Sequence, residues 1–445
     1  MHIDAAPDRD LCPTGCSGRS YLARHTGWYR KHFALPAGWA ESHISLEFEG
    51  AFHGSIVYVN GLLLTSHSCG YTSFDVPLAK GSLKFGGEPN VIAVYVDATS
   101  GTGWWYEGGG LFRHVWLVKR SPVHLATWGV FVAPKVDGGT ITATTATTAT
   151  TTGWLRGGLT ALASLNITAV VTSAPAAEGP LAAAAQQVQV HASFELIDAA
   201  GVTVVVLVAP PVAVAPGAEA TLHASGRIPA RVALWSIPHP TLYTVRARLM
   251  SSAATGPVID ETNVTTGFRS LHYDARSGFR MNEQQVKVRG FCDHNDFASV
   301  GVAVPDRLNL CSNFDIVSDH FARILSALFH PRTRRAMYLC GASMIACGLR
   351  TGAYRLRTGA CNLIACPTPV RRYRAQAARS VGGNGRRTSH NPPNPSMLDI
   401  YDRVGMVVMA ENRDFVAGEE YYQNMASLVQ RDRNHPSVTI WCGNF

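Results

Sequence analysis

The chain has 445 residues, 46% hydrophobic and 16% charged, a composition that suits two to four cored globular domains and excludes wholesale disorder. No run of about twenty apolar residues occurs, so no membrane span is predicted; the start Met1-His2-Ile3-Asp4 lacks the order of a secretory signal, which leaves the cytoplasm as the default address. The net charge of +8 invites a nucleic-acid partner, but its location argues against one. Ten arginines and only two acids lie between Cys311 and Arg374, an excess equal to the whole net charge, and the rest of the chain is neutral.

From Gly27 to about Arg120 the pattern is that of β structure. Ile44-Ser45-Leu46-Glu47-Phe48 alternates, Ile56-Val57-Tyr58-Val59 leads into the turn pair Asn60-Gly61, and Val91 to Val96 reads as a buried strand. Short strands joined by Gly and Asn turns predict a sandwich or jelly roll over residues 1–120. A second β segment fills 121–267, with Val188 to Phe194 alternating and Val204 to Val208 wholly apolar, as in an immunoglobulin-like sandwich. Thr140 to Thr152 is almost pure Thr and Ala and reads as a low-complexity loop.

From 268 to 445 strands alternate with helices. Val286 to Gly290, the approach to Arg386-Arg387, Met406 to Met409 and Val438 to Trp441 are expected to be parallel strands, half the number a (β/α)₈ barrel needs to close. A helix that starts at Val304 to Leu310 resumes at Tyr373 to Arg379, so residues 311–372 interrupt it. This insert holds five of the ten cysteines and has no sustained period. It reads as a translated intron or other gene-model error, against the alternative of a basic module for an anionic partner. Cys12/Cys16 and Cys361/Cys366 lack the partner pairs of a zinc site and are taken as thiols.

Several stretches, read in order, resemble glycoside hydrolase family 2, the β-galactosidase and β-glucuronidase group. They are Gly27-Trp28-Tyr29-Arg30-Lys31, Val59-Asn60-Gly61, Gly110 to Leu117, Leu234 to Tyr243, Gly278 to Asn282, and Arg431-Asp432-Arg433-Asn434-His435-Pro436. The resemblance implies a sugar-binding jelly roll, then an immunoglobulin-like sandwich, then an incomplete catalytic TIM barrel, and retaining hydrolysis of β-linked glycosides without nucleic acid or membrane as partner. It implies no organic cofactor, admits a divalent cation whose ligands the sequence does not place, and admits a homo-oligomer for a full-length protein.

In the family the acid/base glutamate follows Gly-Asn; here Gly443-Asn444 is followed by Phe445, which carries no proton, and the nucleophile position lies past residue 445. The expectation is a chain without hydrolytic activity, with non-catalytic carbohydrate binding as the alternative. The resemblance assigns sugar contacts to His294, Arg387, His390 and Asn444, with Glu107 as a further contact from the first domain. Glu411, preceded by Ala410 where the family often has Asp, is read as a supporting residue. Trp104, Trp105 and Tyr106 offer flat faces for a pyranose, or core packing equally well.

Overall fold

The computed structural model describes residues 25–99, 109–143, 158–175, 187–251, 256–292, 373–413 and 418–443. All of these but Tyr373 belong to one compact unit made of 1–304 and 374–445. Glu107, Trp104, Trp105, Tyr106, His294, Asn444, Phe445, the interrupted helix start at 304–310, most of the Thr/Ala tract and the insert 311–372 lie outside the described residues.

The first sandwich contains β1 (Thr26–Ala34), β2 (His43–Phe48), β3 (Ser55–Val59), β4 (Leu62–His67), β5 (Phe74–Pro77), β6 (Pro89–Asp97) and β7 (Val115–Arg120). One sheet has the order β1-β6-β3-β4 and the other β5-β2-β7, all antiparallel. The period-two pattern does what it predicts. Ile44, Leu46 and Phe48 of β2 meet Val57 and Val59 of β3 and Val94 and Val96 of β6 in one core, each burial worth roughly 1.5–3 kcal/mol. Asn60 and Gly61 turn the chain from β3 into β4 with positive φ of 51° and 85°, the conformation for which Asn-Gly is suited. The Asn60 side chain also donates to Ser82 O (2.7 Å) and accepts from Val91 N (2.8 Å).

The second sandwich comprises β8 (Val123–Val136), β9 (Thr142–Ala143), β10 (Leu159–Ala161), β11 (Ala163–Ser173), β12 (Val188–Ile197), β13 (Thr203–Val214), β14 (Glu219–Arg227), β15 (Val232–Ala233), β16 (Tyr243–Ser251) and β17 (Val258–Thr266). Sheets β14-β11-β8 and β13-β12-β16-β17 enclose a core of Leu165, Ile167 and Val171, Phe194 and Leu196, and Val245 and Leu249. The apolar run in β13 is not buried on both faces: Val206 and Val208 are exposed, because β13 is an edge strand of a two-layer sandwich and nothing among the described residues covers its outer side. A small meander follows, β18 (Leu271–Asp274), β19 (Gly278–Met281) and β20 (Gln284–Gln285).

The last part is a parallel sheet in simple sequential order: β21 (Gly290–Cys292), β22 (Gly385–Arg387), β23 (Val407–Glu411) and β24 (Val438–Cys442). Helices α1 (Tyr373–Ser380), α2 (Pro395–Val404) and α3 (Glu419–Asp432) precede its second, third and fourth strands. The first strand begins at Gly290 rather than at Val286. Asn384 takes polar groups ahead of it, its Nδ2 donating to Lys287 O (3.0 Å) and its Oδ1 accepting from Arg289 N (2.7 Å), while Arg289 O accepts from the main-chain Asn384 N (2.8 Å) and Gly385 N (3.1 Å) at the entry to the ladder.

Local chemistry sets the limits of α2. Asn394 caps it by accepting from Ser396 N, and Pro395 opens its first turn, where a missing N–H costs nothing. Gly405 ends it with φ of 70°, and a Cβ there would stand 2.2 Å from Ile237 O. Leu398 and Tyr401 of α2 pack with Val408, Ala410 and Val438, the helix-facing positions of the sheet.

Candidate functional site

Alternate residues of the parallel strands face away from the helices. Arg387 pairs in register with Cys292 on one side and Met409 on the other, and Glu411, two residues past Met409, pairs with Cys442. This brings Cys292, Arg387, Glu411 and Cys442, one from each strand, to the same C-terminal end of the sheet. Ala410 points the other way, into the core beside Leu398, so a carboxylate at 410 would face apolar packing.

Arg387 and His390 converge on Glu411, whose side chain has no exposure. Arg387 Nη2 donates to Glu411 Oε1 at 2.7 Å, and His390 Nδ1 stands 3.2 Å from both Glu411 Oε1 and Arg387 Nη2. The hydrogen bond to Glu411 raises the Arg387 pKa further and fixes its charge. Thr388 Oγ1 accepts from Glu411 N (3.0 Å), tying the segment after β22 to β23. Arg387 Nη1 also reaches Cys292 Sγ at 3.8 Å. The Cys292 thiol is held below its ordinary value, by Ser389 first and Arg387 second, while burial and Glu411 push Cys442 up. The arrangement presents a fixed cation, an imidazole and two thiols at the strand ends, all organised by one buried carboxylate.

The segment 388–394 that carries His390 is held from behind. Arg113, ahead of β7, donates to Glu49 O (3.1 Å), Tyr71 O (2.8 Å) and Pro392 O (2.9 Å). Arg431, in the last turn of α3, donates to Pro393 O (2.8 Å) and Ser73 Oγ (2.9 Å) and forms a forked pair with Asp432. Sequence reading passed over both arginines as site determinants.

The run Arg431 to Ser437 joins all three parts of the fold. Asn434 bridges to β8 through Val130 O and Val132 N, and Arg433 lies over Phe131 at 4.8 Å. Arg269 donates to Pro436 O and Val438 O, both at 2.5 Å. His435 Nδ1 is 2.6 Å from Asp402 Oδ2, Ser437 N donates to Asp402 Oδ1 at 2.9 Å, and Trp235 Nε1 donates to Asp402 O at 2.8 Å. Burial alone would lower the His435 pKa, but the Asp402 charge and hydrogen bond outweigh it and the net displacement is upward. Polar atoms of Asp399, Asp402 and His435 come within 4.8 Å of one another. Both Asp402 oxygens are already committed and the His435 ring is favoured as imidazolium, whereas a metal-bound ring must be deprotonated; the trio therefore fits a hydrogen-bonded brace better than a divalent-cation site. A cavity of about 370 Å³ beside it is lined by Glu47 and Arg120, Trp128 and Asp260, and Asp399 and His435, two from each part of the fold.

Comparison with known proteins places this architecture. Residues 11–102 match the family described as the beta-galactosidase second all-beta domain, and residues 374–420 match the glycosyl hydrolases family 2 TIM barrel domain. The first description is of a second all-β domain, where the motifs of 1–120 suggested the opening one. These matches, with the relatives that follow, support placing the chain in glycoside hydrolase family 2. It is 28% identical over 444 residues to beta-galactosidase BoGH2A of Bacteroides ovatus, covering 96% of this chain and 40% of that protein. It is 24% identical to a beta-galactosidase of Thermoanaerobacter pseudethanolicus, covering 94% and 44%, and 25% identical to a beta-glucuronidase of Formosa agariphila, covering 98% and 37%. A solved glycosyl hydrolase family 2 member from Bacteroides cellulosilyticus has the same fold, with a TM-score of 0.65 at 24% identity over all of this chain and 48% of that one. The chain thus spans less than half the length of these relatives. No helix among the described residues is long and apolar enough to cross a membrane.

Proposed function

We propose that this chain is the N-terminal part of a retaining exo-glycosidase for β-linked sugars, with β-galactosides as the leading substrates and β-glucuronides next. The first sandwich is then the sugar-binding jelly roll, the second the immunoglobulin-like sandwich, and the parallel sheet the first half of a (β/α)₈ barrel interrupted by 311–372. The observation that carries the reading is the cluster of Arg387, His390 and Glu411 at the C-terminal ends of β22 and β23, the end of such barrels where active sites are built. In this reading Arg387 and His390 face sugar hydroxyls, Glu411 orients them, and His294, Asn444 and Glu107 are assigned as further sugar contacts by the family resemblance alone.

Retention needs two carboxyl groups about 5–5.5 Å apart, one to protonate the leaving oxygen and one to attack the anomeric carbon. Glu411 is committed to its cation and imidazole partners and is assigned neither task. The polypeptide 1–445 tested by itself is expected to bind sugar without turning it over. Calorimetric titration with galactose, glucuronate and mannose, alongside nitrophenyl β-glycosides as substrates, tests this. Binding weakened about tenfold or more by His390→Ala, without hydrolysis, supports the reading. No binding of any sugar, or turnover by the isolated chain, refutes it.

One observation favours a second reading, a non-catalytic carbohydrate-binding protein. Trp28 is 64% exposed and rests against Tyr58 and Tyr95 on the outer face of the first sandwich, with ring centroids 5.8 and 5.2 Å away. Exposed indole faces stack on the apolar side of a pyranose. Binding abolished by Trp28→Ala and indifferent to His390→Ala would select this reading.

A further inference from the structure

We infer that Arg113, in the first sandwich, is a positioning residue for the sugar site of the parallel sheet, acting through the segment that carries His390. The inference rests on the proposed role of His390 for its meaning in binding, but its geometric part stands without it. Thr388 to Asn394 includes Pro392 and Pro393, which have no N–H and present only carbonyl oxygens. Each carbonyl is taken by an arginine from elsewhere: Pro392 O by Arg113 Nη2 at 2.9 Å, and Pro393 O by Arg431 Nη2 at 2.8 Å. At the front the same segment is held by Thr388 N to Met409 O (3.1 Å) and by the Thr388 hydroxyl under Glu411 N. His390 lies between these two sets of restraints, so a shift of the Pro392 carbonyl is transmitted to the imidazole over two residues.

Arg113 is built for this task and not for holding its own sandwich alone. Its Nη1 serves Glu49 O and Tyr71 O within the sandwich, while its Nη2 reaches across to Pro392 O. A planar fork can satisfy carbonyls in two directions at fixed geometry, which a lysine ammonium on a flexible stem does not reproduce. Ser73 couples the two arginines, its hydroxyl donating to Glu49 O (3.1 Å) and accepting from Arg431 Nη1 (2.9 Å). The contacts of Ser427 Oγ with Ser73 O (3.0 Å) and of Thr72 Oγ1 with Asn424 Oδ1 (3.3 Å) extend the same seam along α3. The seam is polar throughout, so its strength lies in directional bonds that fix a position and not in apolar area that tolerates sliding.

The experiment is amide hydrogen exchange on the full 445-residue chain, comparing the unaltered protein with Arg113→Met, Arg113→Lys and the surface control Lys80→Ala, with sugar affinity measured calorimetrically on the same samples. The expected result is faster exchange of the Thr388 and Asn391 amides in Arg113→Met, by roughly ten- to a hundredfold. Arg113→Lys should show most of that effect, Lys80→Ala none, and sugar affinity should fall in parallel with the loosening. A purely structural role would raise exchange around Glu49 and Tyr71 and leave 388–394 as it was; that outcome overturns the inference. If Arg113→Met does not fold, Arg113→Lys decides by the same criterion. If the unaltered chain binds no sugar, the functional reading fails, and the exchange of 388–394 still decides whether Arg113 holds the segment.

Discussion

Replacing Asp402 by asparagine removes one charge from the brace between α2 and the start of β24 and leaves its shape almost unchanged. Asp402 is fully buried. Its Oδ1 accepts from Ser437 N, a bond that the asparagine oxygen can keep; its Oδ2 faces His435 Nδ1 at 2.6 Å, where the asparagine NH₂ would meet a protonated ring donor to donor. The cost therefore depends on the His435 proton. The folded pKa of His435 is raised from 6.5 by Asp402 against the opposing effect of burial, so its stabilisation is complete below about pH 6.5 and is lost as the pH rises through the raised value. Near pH 5.5 the substitution leaves a buried imidazolium without its counter-ion, at a cost of about 3–5 kcal/mol. Above the raised pKa the ring is neutral and can accept from the asparagine amide, and the cost falls to about 1–2 kcal/mol. Urea unfolding of both proteins at pH 5.5 and through an alkaline pH series, with midpoints compared at equal slope, measures the difference. A cost that stays equal throughout, or is larger at alkaline pH, would refute the assignment of His435 as an imidazolium held by Asp402.

Other consequences are open to the same measurements. His67 and His124 are pushed down to about 4, mainly by burial; a base with a depressed folded pKa favours the native state above its unfolded value, so stability should be lost between pH 6.5 and 4, on the order of 2–3 kcal/mol per histidine. His124→Gln should flatten that acid limb, and a limb unchanged in the variant would dismiss the histidine as its source. Gly405→Ala combines a positive φ with a Cβ 2.2 Å from Ile237 O and should cost about 2 kcal/mol or more, read as a fall in thermal midpoint. Trp235→Phe shortens a fully buried indole to a phenyl ring, which leaves a cavity, and strands the buried Asp402 carbonyl, for an expected loss of about 2–4 kcal/mol; a neutral result would refute the indole N–H as an anchor of α2.

Much of the fold is written locally. The alternation in His43–Phe48 and Ser55–Val59 states which side chains enter the first core, Asn60-Gly61 states where the chain reverses, and Asn394-Pro395 with Gly405 bracket α2. The strands at Val407–Glu411 and Val438–Cys442 fall within two residues of where their apolar runs predict them, and Gly385–Arg387 falls at the expected approach to Arg386-Arg387, which has no apolar run. Val286 to Arg289 has the composition of a strand, yet Val286 N is spent on Phe279 O and the Asn384 side chain takes Lys287 O and Arg289 N, so the first parallel strand starts only at Gly290. In the site, the motif residues Arg387 and His390 were visible as types at familiar spacing. Glu411 was read as a supporting residue, and its contacts with both fit that reading, but nothing in its neighbourhood tells how completely it is enclosed.

The run Arg431-Asp432-Arg433-Asn434-His435-Pro436-Ser437 marks the division most clearly. By itself the sequence determined that a strand follows it and that a polar residue could be delivered at the strand's end, because hydrophobic period and turn chemistry act over a few residues. Only the tertiary structure decided where Arg431, Asn434 and His435 are spent: on Ser73 and Pro393, on Val130, and on Asp402. The same holds for Arg113, whose partner Pro392 lies 279 residues further along. Hydrogen-bonding groups are directional and short-ranged in space but indifferent to separation along the chain, so their pairing leaves no periodic trace for a sequence to display.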